Sequence, residues 1–158
     1  MNRLVFALAG YMFLAAGAAA AAEDIILSVD GKTAGGVQVE FTRTQLEGLG
    51  TQVTETSTPW HDGRTTFEGV PLGRLMQSVG ATGDMAFVVA LNDYTTEIPL
   101  KDFAEHGVIL ALKRDGQYMA VSDKGPLFVI YPFDDKPALK DPLYYARSAW
   151  QVRRITIK

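Results

Sequence analysis

Residues 58–76 read TPWHDGRTTFEGVPLGRLM, and this stretch decides how the rest of the chain is arranged. It opens with Trp60, His61, Asp62 and Arg64 within five positions, and it closes on Gly69-Val70-Pro71-Leu72. An indole, an imidazole, a carboxylate and a guanidinium crowded together are poor loop filler and good ligand-contacting chemistry. Loops held between rigid elements are where binding residues concentrate. The segment therefore predicts a ligand-facing loop, then a turn that starts an amphipathic helix. Leu72, Leu75, Met76 and Val79 repeat at helical spacing, Pro71 suits the first helical position, and Gly80 supplies a stop.

Upstream, Arg3 gives a positive n-region and residues 4–14 (LVFALAGYMFL) an apolar h-region, too short for a spanning helix of roughly 20 apolar residues. Ala20-Ala21-Ala22 fits the small-residue cleavage rule. Residues 1–22 are thus expected to be a signal peptide, which places residues 23–158 in the periplasm as a single domain. Nearly half of the residues are apolar, enough for a core without metal or cross-links. The chain has no cysteine, which excludes disulfides, thiolate nucleophiles and thiolate metal ligands. A formal charge of −3 with no basic run argues against nucleic acid and anionic lipid as partners.

In chain order, residues 25–29 (IILSV) read as a strand at a sheet edge, and 37–41 as a second short strand. Thr42 and Gln45 form a capping box that opens a helix over 43–49. Residues 52–58 (QVTETST) alternate as a strand. The continuous apolar run 86–91 predicts a buried strand, 95–98 a returning one, and Pro99 the start of a brief helix. Asp115-Gly116 between 108–112 and 118–121 is a strong hairpin signal. Residues 127–131 make another apolar strand, 133–143 a polar surface loop, 144–149 a helical turn, and 152–158 a last strand. Many short strands with a few short helices give an α+β, β-rich fold.

The chemistry narrows by elimination. His61 and His106 stand far apart without metal-ligand spacing, and a zinc site needs about three protein ligands. His106 reads as a solvated helix-end residue, and Asp134-Asp135 as a solvated surface pair beside Lys136. No GxSxG elbow is present. A planar polar ligand fits better. Trp60, Tyr94, Tyr131 and Trp150 offer stacking faces, or else core aromatics, while Asn92, Asp93, Asp123 and Arg147 lie at element ends where polar groups can converge.

An ordered series carries a resemblance. Phe67-Glu68-Gly69-Val70-Pro71-Leu72, Ala90-Leu91-Asn92-Asp93-Tyr94, Ile98-Pro99-Leu100, Asp123-Lys124-Gly125-Pro126-Leu127 and Trp150-Gln151 through Arg154-Ile155 resemble the oxidoreductase molybdopterin-binding domain, the sulfite-oxidase fold. The family's enzymes hold molybdenum with a cysteine on the loop before the V-P-L turn, where this chain has residues 54–58. Within the family, the chain is most similar to the cysteine-free, exported, PruR-type pterin-binding branch. That resemblance implies a reduced pterin as ligand, no metal, and no catalysis of its own. It also implies a partner, the periplasmic domain of a membrane-bound enzyme that makes and degrades cyclic diguanylate. The ligand-binding residues it implies, with the Trp60 loop, are Trp60, His61, Arg64, Asn92, Asp93, Tyr94, Lys124, Tyr131, Arg147 and Trp150. The alternative reading is a molybdopterin-dependent oxidoreductase, or its subunit, that lacks the cysteine ligand.

Overall fold

The computed structural model describes residues 22–158, so the expected signal peptide lies, but for Ala22, outside the described residues. Ten strands form two sheets. The first has the order β2-β1-β10-β5-β6, from β1 (Ile25–Gly31), β2 (Val39–Thr42), β5 (Met85–Ala90), β6 (Thr95–Pro99) and β10 (Val152–Ile157). The second runs β3-β4-β7-β8, from β3 (Gln52–Thr58), β4 (His61–Pro71), β7 (Ile109–Arg114) and β8 (Gln117–Tyr118), with β9 (Phe128–Ile130) also on β7. Among the described residues only β1 and β10 pair in parallel, from Ser28↔Arg154 to Gly31↔Ile157. Four short helices complete the domain: α1 (Arg43–Gly48), α2 (Leu72–Ser78), α3 (Leu100–His106) and α4 (Pro142–Arg147).

One apolar core joins the sheets. Leu27 and Val29 of β1, Val88 of β5 and Ile155 of β10 meet Val70 of β4, Leu110 and Leu112 of β7 and Val129 of β9, with α2 adding Leu72, Leu75 and Met76. Strand β7 is buried on both faces. Ile109 and Ala111 turn the other way, into a second cluster with Phe67, Met119, Phe128 and Ile130, and Trp60 and Trp150 pack over it. That second cluster sets the floor beneath the site described below.

Local sequence chemistry explains several joints. The Thr42 capping box is present: its hydroxyl accepts from Gln45 N (3.2 Å) and its N–H donates to Gln45 Oε1 (2.8 Å). Asp115 and Gly116, at φ 49° and 79°, make the two-residue β7–β8 turn, the left-handed geometry such hairpins require. Other expectations are corrected. The 58–64 segment is no open loop, because Thr58 pairs with His61, so only Pro59 and Trp60 form the turn and Asp62–Arg64 continue as strand. Pro71 still pairs with Ile109 and precedes the helix instead of opening its first turn. Strand β1 is not an edge, since β2 flanks it on one side and β10 on the other. Strand β5 buries alternate residues, not a continuous run.

The polar segment after β9 also departs from a solvated loop. Phe133 and Leu139 are buried, and Asp134 accepts from both the N–H and the hydroxyl of Ser57 (2.7 and 3.0 Å). With Lys140 2.8 Å away, those bonds hold the Asp134 carboxyl down to about 2. His106 is not fully solvated either. Its ring lies 5.5 Å from Tyr144 and 6.2 Å from Tyr131, and its Nδ1 is buried.

Candidate functional site: an aromatic cleft at the seam of the two sheets

Trp60 is the hub of the site. The two-residue β3–β4 turn lifts its indole onto the second cluster, 5.5 Å from Phe128 between ring centres, and 6.4 Å from Phe133 of the main core. Trp150 stands 5.7 Å away at 67°, and Tyr145 6.0 Å away at 81°. Both contacts are edge-to-face, the arrangement favoured by aromatic quadrupoles. Because these rings are mutually steep, a flat ligand can stack on one indole face and meet the others edge-on.

Around that corner lies a cleft of about 260 Å³ lined by Trp60, Asn92, Tyr94, Tyr145, Ala146, Ser148 and Trp150. Each sheet contributes. Trp60 comes from the β3–β4 turn of the second sheet, Asn92 and Tyr94 from the β5–β6 turn of the first, and Trp150 from the approach to β10. Helix α4 closes the remaining side, tied across the opening by the Tyr94 hydroxyl, which donates to Ala146 O at 2.7 Å. Asn92 Oδ1 accepts from Tyr94 N (3.2 Å), which shapes the turn and leaves the amide nitrogen for a ligand acceptor. The lining contains no charged side chain. Ligand pockets commonly run from ~300 to 1,000 Å³, so this cleft suits one flat ring system with little attached.

Of the residues read from sequence, Trp60, Asn92, Tyr94 and Trp150 come together in the cleft. Lys124 stands behind Trp150, its ammonium 4.7 Å from the ring centre, a cation–π contact. His61 faces Phe67 and Phe128. Its Nδ1 lies 2.8 Å from the Thr58 hydroxyl, and burial, then the Arg114 and Lys124 charges, hold its pKa below the usual range. Arg64 is exposed on β4 beside Glu55 and Asp134. Asp93 turns away to Arg153 (2.6 Å).

Arg147 and Tyr131 are occupied elsewhere. Both bond the same oxygen of buried Asp102, Arg147 at 2.8 Å and the Tyr131 hydroxyl at 3.0 Å. Arg147 thereby fastens α4 to α3, Tyr131 fastens the segment after β9 to α3, and neither lines the cleft. Three lining residues were missed, Tyr145, Ala146 and Ser148. All three lie in the helical turn read over 144–149, where the i, i+3 spacing of Tyr145 and Ser148 was the available signal.

Two packed sheets with a polar aromatic cleft at their seam define an α+β domain of the sulfite-oxidase-like, molybdopterin-binding class. The profile of the oxidoreductase molybdopterin binding domain matches residues 27–133, and the chain belongs to that family. A comparison with curated proteins finds no match to this sequence. Among solved structures, the sulfane dehydrogenase SoxCD from Paracoccus pantotrophus shares the fold at a TM-score of 0.62 and 16% identity, over 85% of this chain and 38% of that one. The present chain thus spans less than half of that relative. Trp60, Asn92 and Tyr94 fall inside the matched segment, while Tyr145, Ser148 and Trp150 follow it.

The donor set answers whether a molybdenum centre of the thiolate-ligated kind fits. The chain offers no thiolate, and Thr54, Thr56 and Thr58 are buried on β3 where the resemblance puts the family's cysteine. The Thr56 hydroxyl accepts from Asp134 N, and that of Thr58 from Trp60 N. No group of three His, Cys, Asp or Glu side chains among the described residues is placed to hold a metal. These residues do not fit such a centre.

Proposed function

We propose that this protein is a pterin-binding sensor without catalysis of its own. The observation that carries the reading is the uncharged aromatic cleft of Trp60, Tyr94, Tyr145 and Trp150, with Asn92 at its rim, in a cysteine-free member of a molybdopterin-binding family. Stacking on an indole face would hold the bicyclic ring, and the Asn92 amide with the hydroxyls nearby would meet its polar edge. In the proposed cycle a reduced pterin enters in the periplasm. Its occupancy is then relayed to the periplasmic domain of a membrane-bound enzyme of cyclic diguanylate synthesis and degradation.

Mass spectrometry of small molecules released from the purified protein, with fluorescence titration by a reduced pterin, tests the reading. A released pterin, or saturable quenching of the two tryptophans, is the expected result. No pterin released and none taken up would sink it. Stoichiometric molybdenum by elemental analysis, in protein made in a molybdenum-replete host, would instead favour the oxidoreductase alternative.

A further inference from the structure

Behind the cleft wall lies a second depression. Strands β1 and β10 pair only from Ser28↔Arg154 onward, and the earlier residues of the two strands border a groove of about 310 Å³. Val152 is buried in it, while Ile25, Leu91 and Val121 stand around it at 49%, 46% and 51% exposure. Those are three of the eight large apolar side chains most exposed in the described residues, gathered at one place. Its charged lining is Arg153 and Arg154, and no acidic side chain lines it. Each arginine has one acidic neighbour outside the lining, Asp93 at 2.6 Å and Asp30 at 3.8 Å, and each is about half exposed. In a chain of net charge −3, an apolar groove edged by two arginines is locally inverted.

We propose that this groove docks an extended segment of a partner protein in which an apolar side chain neighbours a carboxylate. The apolar side chain would cover Ile25, Leu91 and Val121. Arg153 Nε already donates to Ala90 O at 3.1 Å, so the carboxylate would take the remaining terminal N–H groups of the two guanidiniums. Charge complementarity favours this occupant over a basic or neutral segment.

The groove and the cleft share a wall. Leu91 faces the groove and Asn92 the cleft; Trp150 faces the cleft and Val152 the groove. Three of the four non-glycine residues at positive φ among the described residues sit in that wall: Asp93 (63°), Lys124 (66°) and Gln151 (54°). Such residues persist only where their surroundings over-determine them, and they gather at functional sites. Here Gln151 N donates to Lys124 O, its side chain to Val121 O (2.7 Å), and its own carbonyl accepts from Leu91 N. A segment seated against Leu91 and Val121 therefore bears on the backbone that carries Asn92 and Trp150. This link between the two sites rests on the pterin-binding reading; the docking itself does not.

Selection from a phage-displayed random peptide library on the purified full chain, without pterin, is the test. Enriched sequences should place Asp or Glu beside Leu, Ile, Val or Phe. A synthetic copy should bind Val121→Glu and Arg154→Glu at least tenfold more weakly than the parent, with melting temperatures matched, while Val53→Glu, exposed on β3 away from the groove, binds it unchanged. No enrichment overturns the proposal, as do basic or uncharged winners, or winners that bind Val121→Glu as well as the parent. A concentration-dependent dimer abolished by Val121→Glu would give the groove to a second copy instead, and would overturn it too.

Discussion

Trp60 belongs at once to the core and to the cleft, since its ring touches Phe128 and Phe133 below and Tyr145 and Trp150 beside it. Trp60→Ala should therefore cost about 3 kcal/mol of stability as well as binding, the low end for large aromatic truncations because the ring is half-buried. Asn92 separates the two effects. It is exposed and bonds only the turn it belongs to, so Asn92→Ala should weaken pterin binding by about 1 kcal/mol, a neutral hydrogen bond. Its thermal melt should stay near the parent's, and calorimetric titration beside that melt decides the matter. Unchanged affinity would remove Asn92 from the contact set. Trp60, Asn92, Tyr94 and Trp150 were legible in sequence because their types are costly where they stand unless something uses them. Arg147 and Tyr131 were not, because their partner, Asp102, lies 45 and 29 positions away and only the tertiary fold supplies it.

The Asp102 cluster also sets a response to alkali. Burial first, and then the Asp102 charge, push the Tyr131 phenol well above its ordinary range. The unfolded chain releases this proton near pH ~10, whereas the folded chain keeps it. Stability should therefore be undiminished below about pH 10 and fall as the pH climbs past it. Tyr131→Phe should flatten that alkaline limb in denaturant titrations, and a limb of unchanged slope would assign it to other groups. Breaking the pair from the other side, by Asp102→Ala, should cost about 3 kcal/mol, since it leaves a largely covered guanidinium without its carboxylate.

At the scale of elements, the joint between β4 and α2 is the most constrained. The β4–β7 ladder shifts register between Glu68 and Gly69, and a Cβ on Gly69 would lie 2.1 Å from Leu110 O and 2.4 Å from Ala111 Cα. Both obstacles are backbone of a strand buried on both faces, so neither can move aside. Gly69→Ala should destabilise by at least the ~1–3 kcal/mol of ordinary overpacking, read as a lower denaturant midpoint. A midpoint within error of the parent would mean the ladder yields there. Sequence marked this joint through the Gly-Val-Pro-Leu signature and the period change after it. It did not show that Pro71 is still strand, because Leu72 N donates to Val108 O and that bond belongs to the sheet. The segment at 58–64 was misread as a loop for a related reason. Polar side chains signal exposure, and an exposed hairpin exposes them equally well.

For the whole molecule, the cleft's place at the seam makes a ligand a staple between the sheets. Trp60 hangs from one sheet, Asn92 and Tyr94 from the other, and α4 is tied to the β5–β6 turn through Tyr94 and to α3 through Asp102. The α+β class and the order of most strands could be read from alternation and turn residues. Which sheet each strand joins could not, because β1 pairs with the last strand in the chain and β9 folds back onto β7. That long-range closure joins the two sheets through one core, so unfolding should be a single transition. A pterin at 100 times its Kd should add ~2.7 kcal/mol by mass action, raising the midpoint of a domain this size by roughly 5–11 °C. Circular dichroism, which follows both sheets, and tryptophan fluorescence, which follows the cleft, should shift together. If only the fluorescence transition moved, the ligand would be holding the aromatic corner alone, and the staple across the seam would be refuted.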